Sequence, residues 1–128
     1  MLNTSKIIAF AATADADKSK DFYKNVLGLP LMENTHFALV FDANGTSLRI
    51  QKTTEVRPPG YTVLGWEVAS TKETIKTLAD KGVSFKHFLE LNQNAQGVWQ
   101  TPDGAQVAWF SDPDGNLCSL TEFNKMPK

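Results

Sequence analysis

The feature that most constrains this chain is an internal repeat of elements. Residues 7–13 are apolar and β-compatible, and predict a first strand buried on both faces. Asp15 or Asp17 can cap the helix that follows at 18–27, whose stripe is Phe22, Tyr23, Val26 and Leu27. Gly28 stops it. Strand-like segments follow at 29–33, 36–42 and 46–52, the last two joined by the hairpin signal Ala43-Asn44-Gly45. The pattern then restarts. A strand at 61–69 leads to a helix capped by Ser70 or Thr71, with Ile75, Leu78 and Ala79 as its stripe and Gly82 at its end. A strand at 83–89 precedes a polar, irregular stretch at 90–104 that carries Trp99. Two final strands flank Asp112-Pro113-Asp114-Gly115-Asn116, where Pro113 presets φ and Gly115 or Asn116 supplies the left-handed residue. A twofold strand–helix–three-strand pattern implies two similar units, neither able to bury its sheet face alone.

At 128 residues the chain is expected to be one domain spanning 1–128, with a first module at about 5–53 and a second at about 61–124, joined by the polar connector containing Pro58-Pro59-Gly60. An apolar fraction of 41% and three Trp suffice for a core. The formal net charge is −1 with both signs interspersed, which leaves no basic stripe for nucleic acid. No apolar run approaches membrane-spanning length and the N-terminus has no apolar signal core, so a cytoplasmic protein with no membrane partner is expected. A single cysteine, Cys118, forbids an internal disulfide and reads as a small buried hydrophobe. No nucleophilic-serine, P-loop or dinucleotide glycine motif is present.

Ser19-Lys20-Asp21-Phe22-Tyr23 with Leu27-Gly28-Leu29, together with Phe110-Ser111 and the Asp112–Asn116 turn, resembles the vicinal oxygen chelate superfamily. That group includes glyoxalase I, bleomycin-resistance proteins, fosfomycin-resistance enzymes and extradiol dioxygenases. The resemblance implies an α+β fold of two βαβββ modules, with curled mixed sheets around a cavity, and a homodimer. It also locates the superfamily's metal positions, which fall here on Ile8, Arg49, Val63 and Ser119. None is an ordinary divalent-metal ligand, and a guanidinium would repel the ion. No cofactor is therefore expected. The only histidines, His36 and His87, have no carboxylate at ligand spacing.

Strand alternation supplies the contents of the expected cavity. With Ile8 facing in, so do Phe10 and Ala12; with Arg49, so does Gln51, while Leu48 and Ile50 pack on the helices. Val63, Gly65 and Glu67 face in on the fifth strand, and Leu117, Ser119 and Thr121 on the last. The candidate ligand-binding residues are Phe10, Arg49, Gln51, Glu67, Trp99, Ser119 and Thr121. Arg49 suits an oxyanion anchor and Glu67 a base, the one catalytic candidate; equally, the two could form an ion pair that merely fills the vacated metal position. Trp99 could stack on a planar ligand or pack its loop, and Trp109 could line the cavity but reads first as a core or interface aromatic. The expected function is metal-free binding of a small molecule in the bleomycin-resistance manner. The alternatives are a metal-dependent glyoxalase-like lyase, isomerase or dioxygenase, and a metal-independent enzyme using Glu67 and Arg49.

Overall fold

A computed structural model describes residues 1–124. The chain forms two compact units. The first is Met1–Pro58 together with Asp112–Asn116; the second is Pro59–Ser111 with the chain from Leu117.

The first unit carries β1 (Ile8–Thr13), α1 (Ala16–Asp21), β2 (Leu31–Asn34), β3 (Ala38–Ala43) and β4 (Thr46–Lys52). Their sheet order is β1-β4-β3-β2, with β1 parallel to β4 and the other pairs antiparallel. The second unit carries β5 (Leu64–Glu67), α2 (Thr71–Asp80), β6 (Trp99–Gln100), β7 (Gln106–Ser111) and β8 (Leu117–Glu122). Its order is β5-β8-β7-β6, with β5 parallel to β8. Both sheets are thus mixed and share one topology, the two-module βαβββ plan that the repeat predicts.

Each helix starts where its cap residue dictates. The Asp15 carboxylate accepts from Lys18 N at 3.2 Å, and the Ser70 hydroxyl accepts from Glu73 N at 3.1 Å. Glu122, at the end of β8, reaches the first turn of α2 and accepts from Thr71 N at 2.8 Å. The first helix starts earlier than the predicted residue 18, and it changes pitch. From Phe22 to Val26 it is π-helical, with Leu27 N bonding Phe22 O. Tyr23 is then fully buried against Phe41, ring centroids 5.6 Å apart. The hairpin between β3 and β4 turns at Asn44 and Gly45, with φ of 51° and 93°, the geometry that right-twisted strands favour.

Alternation sorts the sheet faces as predicted. Leu48 and Ile50 are buried in the first unit, and Cys118 and Leu120 in the second. Phe110 anchors the second core, with Trp66 stacked on one side at 6.3 Å and Phe85 edge-on at 5.7 Å. Fully burying one such side chain contributes about 1.5–3 kcal/mol.

Three expectations are corrected. β1 is not buried on both faces: Ile8 is 48% and Phe10 49% exposed, whereas Ala11 and Thr13 on the other face are buried. The segment 83–89 is not a strand, and the irregular stretch 90–104 contains one. The cause is the shared edge of β7. Phe85 and Lys86 cover its Trp109–Phe110 end through a single bridge and the bond Lys86 N to Trp109 O. Trp99 and Gln100 cover its Gln106–Val107 end. Between these two fragments the Gln93 side chain satisfies Phe88 N, Lys86 O and Gly97 O, so no continuous ladder is needed. Finally, β5 is shorter than 61–69, although Val63 N and Val68 N extend its bonding to β8 at either end.

The turn Asp112–Asn116 is built around one carboxylate. Asp112 is 5% exposed and accepts from Asp114 N, Asn116 N, Asn116 Nδ2 and the Tyr23 hydroxyl, the last at 2.6 Å. Asn116 Nδ2 also donates to Ala12 O, and Ala14 N donates to Asp114. Gly115, with φ of 87°, is the left-handed residue. Tyr23→Phe keeps the ring packing and removes only the hydroxyl donor. It should destabilise by about 1.5–3 kcal/mol in urea unfolding, the range for a bond to a charged acceptor. A loss near zero would show that the carboxylate does not depend on that bond.

Candidate functional site

Strand register places the candidate residues in two groups, one on each sheet. In the first unit, Phe10, Arg49, Val40 and Glu33 lie in one row across β1, β4, β3 and β2. Ala12, Gln51 and Ala38 form the adjacent row. Phe10, Arg49 and Gln51 therefore share the face opposite Leu48 and Ile50, as alternation predicts. Within its unit the half-buried Arg49 guanidinium has no hydrogen-bond or ion-pair partner among the described residues.

In the second unit, Gly65, Ser119 and Trp109 form one row across β5, β8 and β7. Glu67, Thr121, Val107 and Trp99 form the next. With strands ~4.8 Å apart, Glu67 and Trp99 stand about 14 Å apart at the two ends of their row. Thr121 and Val107 stand between them, and the adjacent row is low at its β5 end. Gly65 has no side chain, and a Cβ there would lie 2.9 Å from the Ser119 Oγ. The result is a trough with Ser119 in its floor and an aromatic wall. In that wall the Trp99 and Trp109 rings are 6.3 Å apart and inclined by 31°. Phe88 meets Trp109 edge-on at 5.4 Å, and Trp109 Nε1 donates to Thr62 Oγ1 at 3.2 Å, so its ring is held from two sides. Within this unit the polar groups of Glu67, Ser119 and Thr121 have no hydrogen-bond partner among the described residues. Glu67 is exposed and Ser119 only 8% exposed.

All seven sequence-named ligand residues thus lie on these two faces: Phe10, Arg49 and Gln51 on one, Glu67, Trp99, Ser119 and Thr121 on the other. Trp109 and Phe88 were not among them. Trp109 was legible, because it lies five residues before Asp114 and Ser119 five after, and the final hairpin pairs the two. Phe88 sits in an irregular segment with no periodicity, and no local signal marks it.

Divalent-metal chemistry does not fit the donors at the superfamily's metal positions. Ile8 and Val63 carry no ligand atom, Arg49 is cationic, and Ser119 offers one neutral hydroxyl. Among the described residues no three His, Cys, Asp or Glu side chains stand together as a metal cage would. His36 and His87 are both exposed.

Residues 7–120 match the family model of the Glyoxalase/Bleomycin resistance protein/Dioxygenase superfamily. The chain belongs to this superfamily. It is 29% identical over 121 residues to the uncharacterized protein YraH of Bacillus subtilis (strain 168), covering 83% of this chain and 88% of that one. A superfamily member from Sphaerobacter thermophilus has a similar solved structure: TM-score 0.66, 27% identity, 91% of this chain and 97% of the other. A lactoylglutathione lyase from Agrobacterium tumefaciens gives a TM-score of 0.67 at 16% identity, over 92% of this chain and 93% of the lyase. The last likeness is one of fold alone. Fold membership does not set the chemistry, which must be read from the site. No helix among the described residues is long and apolar enough to cross a membrane.

The unpartnered Ser119 hydroxyl gives a first test. Ser119→Ala removes a hydroxyl that makes no bond in its unit, so stability should change by less than about 0.5 kcal/mol. A loss of more than about 1 kcal/mol in thermal or urea unfolding would mean that the hydroxyl is structural.

Proposed function

We propose that this superfamily member is a metal-independent binding protein for small planar organic molecules, held in the trough of the second sheet. The observation that carries the reading is the Trp99–Trp109 pair, braced by Phe88, beside three polar side chains whose hydrogen-bonding capacity is unused in their own unit. A concave site with a large apolar wall and a few placed polar groups suits a small ligand. Indole faces reward planar rings, Ser119 and Thr121 supply neutral donors and acceptors, and Glu67 favours a ligand that offers a donor or positive charge. In this reading the protein sequesters its ligand in the bleomycin-resistance manner. The chain acts in the cytoplasm as a homodimer. The exposed apolar residues Ile8 and Phe10, neighbours on one face of β1, support the dimer, because adjacent exposed apolar side chains mark interaction surfaces.

A thermal-shift screen of aromatic acids, aromatic amines and thiol conjugates tests the binding. Compounds that raise the melting temperature of the parent protein should lose that effect in Trp99→Ala, and in Gly65→Val, which fills the trough without touching the indoles. Loss of one indole face should weaken binding by about 1–2 kcal/mol, five- to thirty-fold. Equal shifts in parent and variants would remove the site. Elemental analysis of the purified protein tests metal independence: stoichiometric zinc, nickel, manganese or iron held at fixed residues would overturn it.

Glu67 supports one further reading. Exposed and unbonded in its unit, it is free to act as a base on a bound ligand. If the protein turns over a compound that it binds, Glu67→Gln should abolish turnover and leave binding within about threefold, roughly 0.7 kcal/mol. In the first unit, Arg49 is the group suited to an oxyanion. Arg49→Ala should then weaken an anion held on the first sheet and leave ligands of the trough unaffected. Lower thermal stability with ligand binding intact would make Arg49 structural instead.

A further inference from the structure

The second unit holds a separate open cleft of about 350 Å³, lined by Asn92, Gln93, Asn94, Val98, Gln100 and Gln106, of which Asn92, Asn94 and Gln100 are exposed. Gln100 and Gln106 are paired across β6 and β7, one position along from the Trp99–Val107 pair, so they face the opposite side of the sheet from the indoles. Five of the six lining side chains are neutral amides, and none is ionisable.

The amides divide into fixed and free groups. Gln93 is fully engaged with Phe88 N, Lys86 O and Gly97 O, and acts as a wall. Asn94 uses its oxygen on Gln96 N and Val98 N, at 3.0 and 2.9 Å, which leaves its NH₂ as an oriented donor. Gln106 uses its oxygen on the Thr71 hydroxyl at 3.4 Å, which leaves a second NH₂. The side chains of Asn92 and Gln100 have no partner among the described residues and can turn to donate or accept. Val98, 9% exposed, is the apolar patch.

We propose that this cleft is a binding site for a neutral polyhydroxylated molecule of monosaccharide size. The volume lies at the lower end of the range for small-ligand sites, about 300–1,000 Å³. A charged ligand would find no counter-charge in the lining. An extended peptide could not add to β6, because its outer edge is occupied by the Gln93–Trp99 bridge and by the bond from Asn94 N to Val98 O. Two fixed donors and two adaptable amides match hydroxyl groups, each able to donate and accept.

The test uses side-chain amide NMR signals of the ¹⁵N-labelled full chain, titrated with glucose, galactose and myo-inositol, with gluconate as the charged analogue. At least one neutral polyol should shift the Asn94 and Gln106 NH₂ signals saturably, and gluconate should bind more weakly. The double variant Asn92→Leu/Gln100→Leu removes no intramolecular hydrogen bond and should retain the parent fold. It should weaken the polyol by about thirtyfold, as expected for the loss of two ordinary hydrogen bonds. No saturable shift with any of the three polyols overturns the proposal. So do an undiminished response in the folded double variant, and gluconate binding as tightly as the neutral polyols.

Discussion

The Asp112 carboxylate is the interaction on which much of this structure depends. A buried carboxylate is tolerated only when donors replace its water, and Asp112 has four within hydrogen-bond reach. Two come from the backbone of its own turn and one from the Asn116 side chain, so the carboxylate dictates the turn's shape. The fourth is the Tyr23 hydroxyl, brought in from the π-helical end of the first helix. The register of β7 against β8 follows directly from that turn, because Ser111 pairs with Leu117 at its base. That register sets Ser119 opposite Trp109, and the parallel ladder on the other side of β8 brings Gly65 to the same residue. A slip of one residue would turn Ser119 and Thr121 into the core and Cys118 and Leu120 out of it.

This network also explains why two sequence motifs far apart in the chain carry the superfamily likeness together. Phe22-Tyr23 in the helix and Asp112-Pro113-Asp114-Gly115-Asn116 in the hairpin are donor and acceptor of one buried bond. Asn116 and Asp114 extend the contact to Ala12 O and Ala14 N, at the end of β1 and just beyond it. The helix motif requires the turn motif, since a fully buried tyrosine hydroxyl without an acceptor would be left desolvated.

Much of the fold was legible because it rests on period and punctuation. The repeat, both helix caps, the Asn44-Gly45 turn and the sorting of Leu48, Ile50, Cys118 and Leu120 into the cores all follow from local residue chemistry. The misjudged segments are those whose partners are not local. Residues 83–89 look like a strand, but the Gln93 side chain takes the backbone groups that a ladder would have used. Trp99 lies in a polar stretch without alternation, yet β7 had free edge to pair with. β1 reads as buried on both faces because apolar residues run along all of it, whereas burial covers only the face bearing Ala11 and Thr13. The sheet faces on which the candidate residues lie were legible to the same degree. The polar candidates followed from alternation, Trp109 could have been found by counting from the hairpin turn, and Phe88 was reachable only through three-dimensional packing.

The central functional claim is that ligand meets the Trp99–Trp109 wall. The chain has three tryptophans, and Trp66 lies on the other face of the same sheet, stacked on Phe110. The indole N–H signals of ¹⁵N-labelled protein therefore report both faces at once. Titration with a planar aromatic probe that offers a donor, 1-naphthol, should shift the Trp99 and Trp109 signals saturably and leave Trp66 in place. Shifts confined to Trp66, or no saturable shift at any indole, would contradict the account.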